Sequence, residues 1–231
     1  MAIGSYLAKF SWPDWIGLAW FLGCWLGYEM VVERGWIGRK SLLEETHKLR
    51  LGWGRVMLKR NPRIVDVALI GNLLPSLSFY ANTSIYIIAA LFAALGTLDQ
   101  LMSMASELPF ARVISREATE IKLLILIGVF VVAYFKFTWS LRQFNLLSIT
   151  LGSVPQEASD EEAERHAQKF AAVNSCAGND FNRGLRAFYF GMAVMSWMVS
   201  AWLFICFTMV IVFVLARREF SSPVLKALTD N

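Results

Sequence analysis

Four stretches of this chain come close to or exceed the roughly 20 apolar residues needed to cross about 30 Å of hydrocarbon. They are Trp15 to Val32, Val67 to Leu95, Ile121 to Leu141 and Leu185 to Ala216. Hydrophobic residues make up 56% of 231 positions, and the mean hydropathy is +0.48. Both exceed what a soluble domain of this size usually carries, so the chain reads as an integral membrane protein. The expected fold class is all-α: one membrane domain over residues 1–231, a four-helix bundle with additional amphipathic cytoplasmic helices at 33–66 and 148–180. Near the first span, Gly27, Tyr28 and Glu29 offer no small-x-small cleavage site, so that span is read as a helix of the mature protein.

Two spans are longer than the bilayer requires. As continuous helices, 67–95 would extend roughly 43 Å and 185–216 roughly 48 Å, at about 1.5 Å per residue. Tilting, kinking or projection must absorb the excess, and projection on the cytoplasmic side is the reading adopted.

Basic residues set the expected orientation. Arg34, Arg39, Lys40, Lys48, Arg50, Arg55, Lys59, Arg60 and Arg63 crowd the first connection. Arg165 and Lys169 lie in the third, bordered by Arg142, Arg183 and Arg186. The other side has Lys9, Arg112, Arg116, Lys122, Arg217, Arg218 and Lys226. The positive-inside rule therefore places the first and third connections in the cytoplasm and both termini outside. Arg217-Arg218, directly after the last span, pulls the other way. The formal charge of +4 comes from residues clustered at membrane entry points with no nucleic-acid motif, so the expected partners are the lipid bilayer and anionic headgroups at segment 34–63 rather than nucleic acid.

The connections carry helical patterns. Ser41 with Glu44 reads as a capping box, and Leu42, Thr46, Leu49, Trp53 and Val56 recur at helical spacing. Two readings stay open: a helix lying on the headgroups, or one packed on its neighbours, with Gly52 and Gly54 weakening either. In the third connection, Pro155 and Ser159 open an acidic helix that Asn174, Gly178 and Asn179 are expected to stop.

The second span contains GNLLPSLSFYANTSIY, Gly71 to Tyr86. At about 100° per residue, Asn72, Ser76 and Thr83 fall within about 40° of one another, and Pro75, Ser78, Asn82 and Tyr86 widen the arc to roughly 160°. Leu73, Leu77 and Ile87 lie opposite, and Ser84 breaks the pattern. Amides and hydroxyls facing hydrocarbon are costly, so this stripe should face other helices or water. It either lines a path for a polar solute or hydrogen-bonds across a helix interface. Pro75 should kink the helix. In the third span Lys136 either snorkels to the interface or, with Arg142, pairs with Glu29, Glu33 or Asp66. Gly23 with Gly27, Ala187 with Gly191 and Ser196 with Ser200 are small-residue pairs suited to helix packing. Trp12, Trp15, Trp36, Trp139, Tyr28 and Tyr134 suit interfacial belts.

No catalytic or metal site is expected. His47 and His166 are isolated in polar segments, and neither a zinc spacing, a phosphate loop nor a nucleophile elbow occurs. Cys24, Cys176 and Cys206 imply no disulfide framework. No cofactor is implied.

KRNPRIVDVALIGNLLPSLSFYANTSIYIIAALFAAL, FKFTWSLRQFNLLSITLGSVP, FNRGLRAFYFGMAVMSWMVSAWLF and VLARREF together resemble the multi-pass membrane family catalogued as domain of unknown function 599, from about Trp15 to Phe220. Asn72, Ser76, Ser78, Asn82, the run Phe135 to Asn145, and Phe181 to Phe190, with Phe181, Asn182, Arg183, Gly184 and Arg186, carry the match. The resemblance implies a four-span membrane protein and no known activity. The expected location is a bacterial inner (plasma) membrane. Two functions remain open: an oligomeric channel or transporter for an ion or small polar solute, or a non-catalytic accessory or scaffold subunit of a larger membrane complex.

Overall fold

The computed structural model describes residues 10–34, 41–106, 115–155 and 159–229. Lys9, Trp36, Arg39, Lys40 and Arg112 lie outside the described residues. The chain is all-α, with no strand among those residues. Its helices are α1 (Trp12–Arg34), α2 (Leu42–Leu58), α3 (Ile64–Gly71), α4 (Leu74–Gly96), α5 (Leu98–Ser106), α6 (Arg116–Gly152), α7 (Asp160–Ser196), α8 (Ala201–Phe220) and α9 (Pro223–Thr229). Among the described residues, four helical stretches are long and apolar enough to cross a membrane: Trp12–Glu33, Ile64–Gly96, Arg116–Gly152 and Ala201–Thr229. The first three enclose the expected spans, and the fourth does not. Contacts group the chain into two compact units.

The first unit comprises the described residues of Met1–Trp36, Thr83–Val132 and Arg186–Leu215. It overturns the reading of 185–216 as one helix. Asp14 bonds to Trp197, Phe21 packs on Phe190, and Arg186 lies over the Tyr28 ring, so α1 and α7 are antiparallel. Trp12 meets Trp202 and Gly17 meets Phe204, so α1 and α8 run in the same direction. Hence α7 and α8 form a hairpin whose reversal occupies residues 197–200.

No glycine or proline makes that turn. Instead the amides of Trp197, Met198 and Val199 each donate three residues back, at 3.1 Å, to Val194, Met195 and Ser196. These shorter loops tighten the end of α7 and satisfy carbonyls that a helix terminus leaves open. Ser196 and Ser200 bracket the turn rather than packing as a small-residue pair, and the Ser200 carbonyl accepts from the Phe204 amide as α8 begins. Trp197 is fully buried, stacked on Phe204 at 4.7 Å, and its Nε1 donates to Asp14 Oδ1 at 2.7 Å. Lys122 Nζ pairs with Asp14 at 3.2 Å and donates to the Trp197 carbonyl at 3.2 Å. The turn is thereby pinned to α1 and α6 at once. Of the other small-residue pairs, Ala187 and Gly191 are packed, with Phe130 lying 3.0 Å from where a Gly191 Cβ would be, while Gly23 and Gly27 face open space.

The second unit comprises the described residues of Ile37–Asn82, Ala133–Leu185 and Ala216–Asn231. Here α2 is packed on its neighbours. Trp53 sits edge-on to Phe170 at 5.1 Å, Arg55 bonds Glu164 at 2.6 Å, and a Cβ on Gly54 would stand 3.0 Å from the Ala167 carbonyl. Gly54, a poor helix former in isolation, is what lets α2 approach the α7 backbone. Ser41 caps α2 by accepting from the Glu44 amide at 3.2 Å. The Leu43 amide donates to Glu219 at 3.0 Å, and α9 packs on α2, so the C-terminal helix belongs beside the first connection.

Two further expectations change. The kink foreseen at Pro75 is a break: α3 ends at Gly71 and α4 begins at Leu74. Pro75 thus lies in the first turn of α4, where its missing N–H removes no helical bond. Asn174, Gly178 and Asn179 do not stop the acidic helix, because α7 continues to Ser196. Asn174 is buried along its length, and the glycines are points of close approach: Arg50 lies over Gly178 and Phe137 over Gly184. Burial also pulls the Arg50 guanidinium pKa below its usual value.

A Cβ at Gly184 would stand 2.6 Å from the ring of fully buried Phe137. Gly184→Ala should therefore lower stability by about 1–3 kcal/mol, seen as a lower unfolding midpoint in mild detergent, and Phe137→Leu in the same chain should restore part of it. An unchanged midpoint in Gly184→Ala would refute this packing.

Candidate functional site

Part of the polar stripe of the second span points away from the chain's other helices. Asn72, Ser76 and Asn82 are exposed and Ser78 is half-buried. Further along the same helix Thr83 is half-buried and Tyr86 is 71% exposed. Ile70, Leu77, Ala81 and Ser84 are the buried residues on the opposite side. Ser84, which broke the pattern in sequence, faces inward with Leu77 and Ala81. The stripe is flanked by outward apolar side chains: Ile64, Val65, Val67 and Leu69 before it, Ile85 and Phe92 after it. Its amides and hydroxyls therefore occupy a stretch whose neighbours are built to face acyl chains.

The buried charges are arranged differently from expectation. Lys136 pairs with Asp180 on α7 at 3.3 Å rather than with Glu29, Glu33 or Asp66. Asp180 is buried and also accepts from Gln143 Nε2 at 2.7 Å and Arg183 Nη1 at 3.0 Å. Beside it Ser140 Oγ donates to the Ala177 carbonyl at 2.6 Å. In this cluster two cations, Lys136 and Arg183, converge on one carboxylate. Gln143 Oε1 and Asn179 Oδ1 are buried with no protein donor, which leaves the cluster spare acceptor capacity. Lys136, 34% exposed in its side chain, also borders a shallow groove of about 470 Å³ lined by Phe135, Thr138, Trp139 and Arg142. Arg142 lies over the Trp139 ring at 5.3 Å and contributes to the groove rather than to an ion pair.

Asp66 is fully buried and has its own partners: Trp53 Nε1 at 2.7 Å and Arg60 at 2.8 Å. Glu29 is half-buried on α1. In the FNRGLR motif, Phe181 packs against Tyr80 and Phe137, Arg183 holds Asp180, Gly184 admits Phe137, and Asn182 is exposed. Arg186 is buried over Tyr28, its Nη1 without an acceptor. His47 Nδ1 bonds Ser175 Oγ at 2.8 Å. Among the described residues, no three His, Cys, Asp or Glu side chains gather as a metal site would require.

Asp14 and Asp180 escaped sequence reading. Each stands in a polar context, SWPDW and AGNDFNR, where a solvated carboxylate is the ordinary expectation. For Asp180, the signal was the seven-residue separation of Lys136 and Gln143, which puts an ammonium and an amide on one face of α6.

A family model described as "Protein of unknown function, DUF599" matches residues 16–224. The chain belongs to the DUF599 family. The four long apolar helices make this DUF599 chain membrane-protein-like, and the family description adds no activity. Comparison with curated proteins and with solved structures found no match. The DUF599 match covers the stripe, the Asp180 cluster and the α7–α8 hairpin alike.

Asp180→Asn should destabilise the DUF599 protein by about 3 kcal/mol, because it leaves two cations without their carboxylate. Adding Lys136→Met should return part of that loss, giving a coupling of about 1 kcal/mol in a double-mutant cycle followed by thermal unfolding in detergent. Strict additivity would show that the pair is not coupled.

Proposed function

We propose that this protein is a homo-oligomeric membrane channel or transporter whose path for an ion or small polar solute is lined by the polar groups of the second span, from Asn72 at the end of α3 along α4. The observation that carries this reading is the outward exposure of Asn72, Ser76 and Asn82 on a span flanked by outward apolar residues. Left against lipid, each unsatisfied polar group would cost several kcal/mol. A second copy presenting the same face would enclose the stripe and supply amide and hydroxyl groups in place of a solute's hydration. Lys136 and Arg142 give the α6 groove a positive lining, which favours anions over cations at that mouth.

The hairpin supports a revised orientation. Arg217 and Arg218 end α8, and α9 packs on α2, which carries Lys48, Arg50 and Arg55. These basic groups then share one side, and the positive-inside rule puts that side in the cytoplasm, with the start of α1 outside.

The test uses a chain with its three cysteines replaced by serine and a new cysteine at Asn82, reconstituted in liposomes. Oxidation should cross-link copies through that position. Asn72→Leu and Thr83→Val should each alter solute flux by roughly an order of magnitude relative to the parent. A chain that stays monomeric, with flux equal to that of empty vesicles, would sink the proposal. Fixed partner proteins retained in mild detergent would instead support the accessory-subunit reading.

A further inference from the structure

The strongest unassigned feature of the second unit lies where α2 gives way to α3. There Lys59, Arg60, Asn61, Arg63 and Ser148 help to line a half-enclosed cleft of about 470 Å³. We infer that this cleft is a binding site for the phosphate-bearing headgroup of an anionic lipid. The inference does not depend on the permeation path.

The charge balance comes first. Three cations border the cleft and no carboxylate does. Arg60 is partly neutralised by Asp66, which is buried behind it. Arg63 donates to the carbonyls of Val154 at 3.0 Å and Pro155 at 3.3 Å, so it is held in place by neutral groups rather than by a carboxylate. Lys59 is exposed and has no acid partner among the described residues. A site with two uncompensated cations, one fixed and one free to swing, selects an anion.

Local backbone adds to this. Arg63 is the N-cap residue of α3, and no side chain caps that helix. The open amides of the first turn and the positive end of the helix both favour a negative ligand.

The surroundings decide which phosphate. Val67 lines the cleft itself, and Ile64, Val65, Leu146 and Ile149 lie close in sequence to the cleft residues with their side chains exposed. A soluble phosphate compound would make no use of these side chains. A lipid uses them for its acyl chains while its headgroup sits among the cations.

The experiment places full-length protein in nanodiscs containing equal parts phosphatidylglycerol and phosphatidylcholine, and measures retained lipid by native mass spectrometry. Phosphatidylglycerol should be retained several-fold over phosphatidylcholine. Lys59→Gln, at an exposed side chain with no partner among the described residues, should reduce that preference, and Ser148→Leu, which fills the cleft from its exposed side, should abolish it. Unchanged preference in both variants would overturn the site, as would equal retention of the two lipids by the parent. Displacement of the lipid by millimolar inorganic phosphate would assign the cleft to soluble phosphate and overturn the lipid assignment. None of these readouts involves flux or oligomeric state.

Discussion

A carboxylate cannot stay ionised among apolar helices unless cations and donors surround it, and this requirement organises the molecule. Asp14, Asp66 and Asp180 are each buried, and each is held by a cation: Lys122, Arg60, and Lys136 with Arg183. Asp14 and Asp180 join different long helices, so these two ion pairs fix which helix lies beside which. Apolar packing alone would tolerate sliding and rotation, because one leucine-rich face fits another in several registers. A bond with a defined donor and acceptor does not, and losing either partner leaves a bare charge in a low-dielectric interior. In the first unit the clamp also includes the Trp197 carbonyl, so the reversal between α7 and α8 is fixed by the same charges that fix the helices.

The helix most dependent on this arrangement is α7. It is the least apolar of the long helices, and no stretch within it is long and apolar enough to count as a membrane span. Yet its residues are among the most deeply buried, from Ala167 to Val194. In the first unit its end packs in one cluster with residues of α1, α4, α6 and α8. In the second it touches α2, α4 and α6. Neighbouring helices thus take the place of lipid around it, so a helix carrying Asp180, Arg183 and Arg186 is tolerated. The small residues Gly54, Gly184 and Gly191 let those neighbours come close enough to exclude solvent.

Much of this was legible from hydropathy and spacing, and the failures share a cause. The first three spans and the Ser41 cap follow from local rules, apolar length and capping chemistry, whereas the kink expected at Pro75 is a break between α3 and α4. The α7–α8 hairpin does not, because hydropathy runs unbroken through Trp197 and the turn contains neither glycine nor proline. What closes it is Asp14 and Lys122, 183 and 75 residues away from Trp197, and no local pattern reveals such partners. Excess length was the available hint, since a run of about 48 Å is too long for one crossing and too short for two complete ones. For the stripe, helical phase put Asn72, Ser76 and Thr83 in a narrow arc with Asn82 at its margin, whereas Asn72, Ser76 and Asn82 are exposed and Thr83 is half-buried. Phase alone could not say whether that face turned inward or outward, and burial of Ser84 and Leu77 settles it.

The hairpin also resolves a conflict in the charge pattern. With 185–216 as a single crossing, Arg217 and Arg218 fall on the side opposite the basic first connection, and the positive-inside rule contradicts itself. Once α8 runs back from the reversal at 197–200, the arginines come at its end, followed by a helix that touches α2. In the orientation proposed above, the basic residues of α2, of the α2–α3 junction and of the end of α8 fall on one side, and the contradiction disappears without moving any charge. That concentration of positive charge is also what an anionic leaflet holds most firmly. The lipid site proposed at Lys59 and Arg63 draws on the same concentration of positive charge.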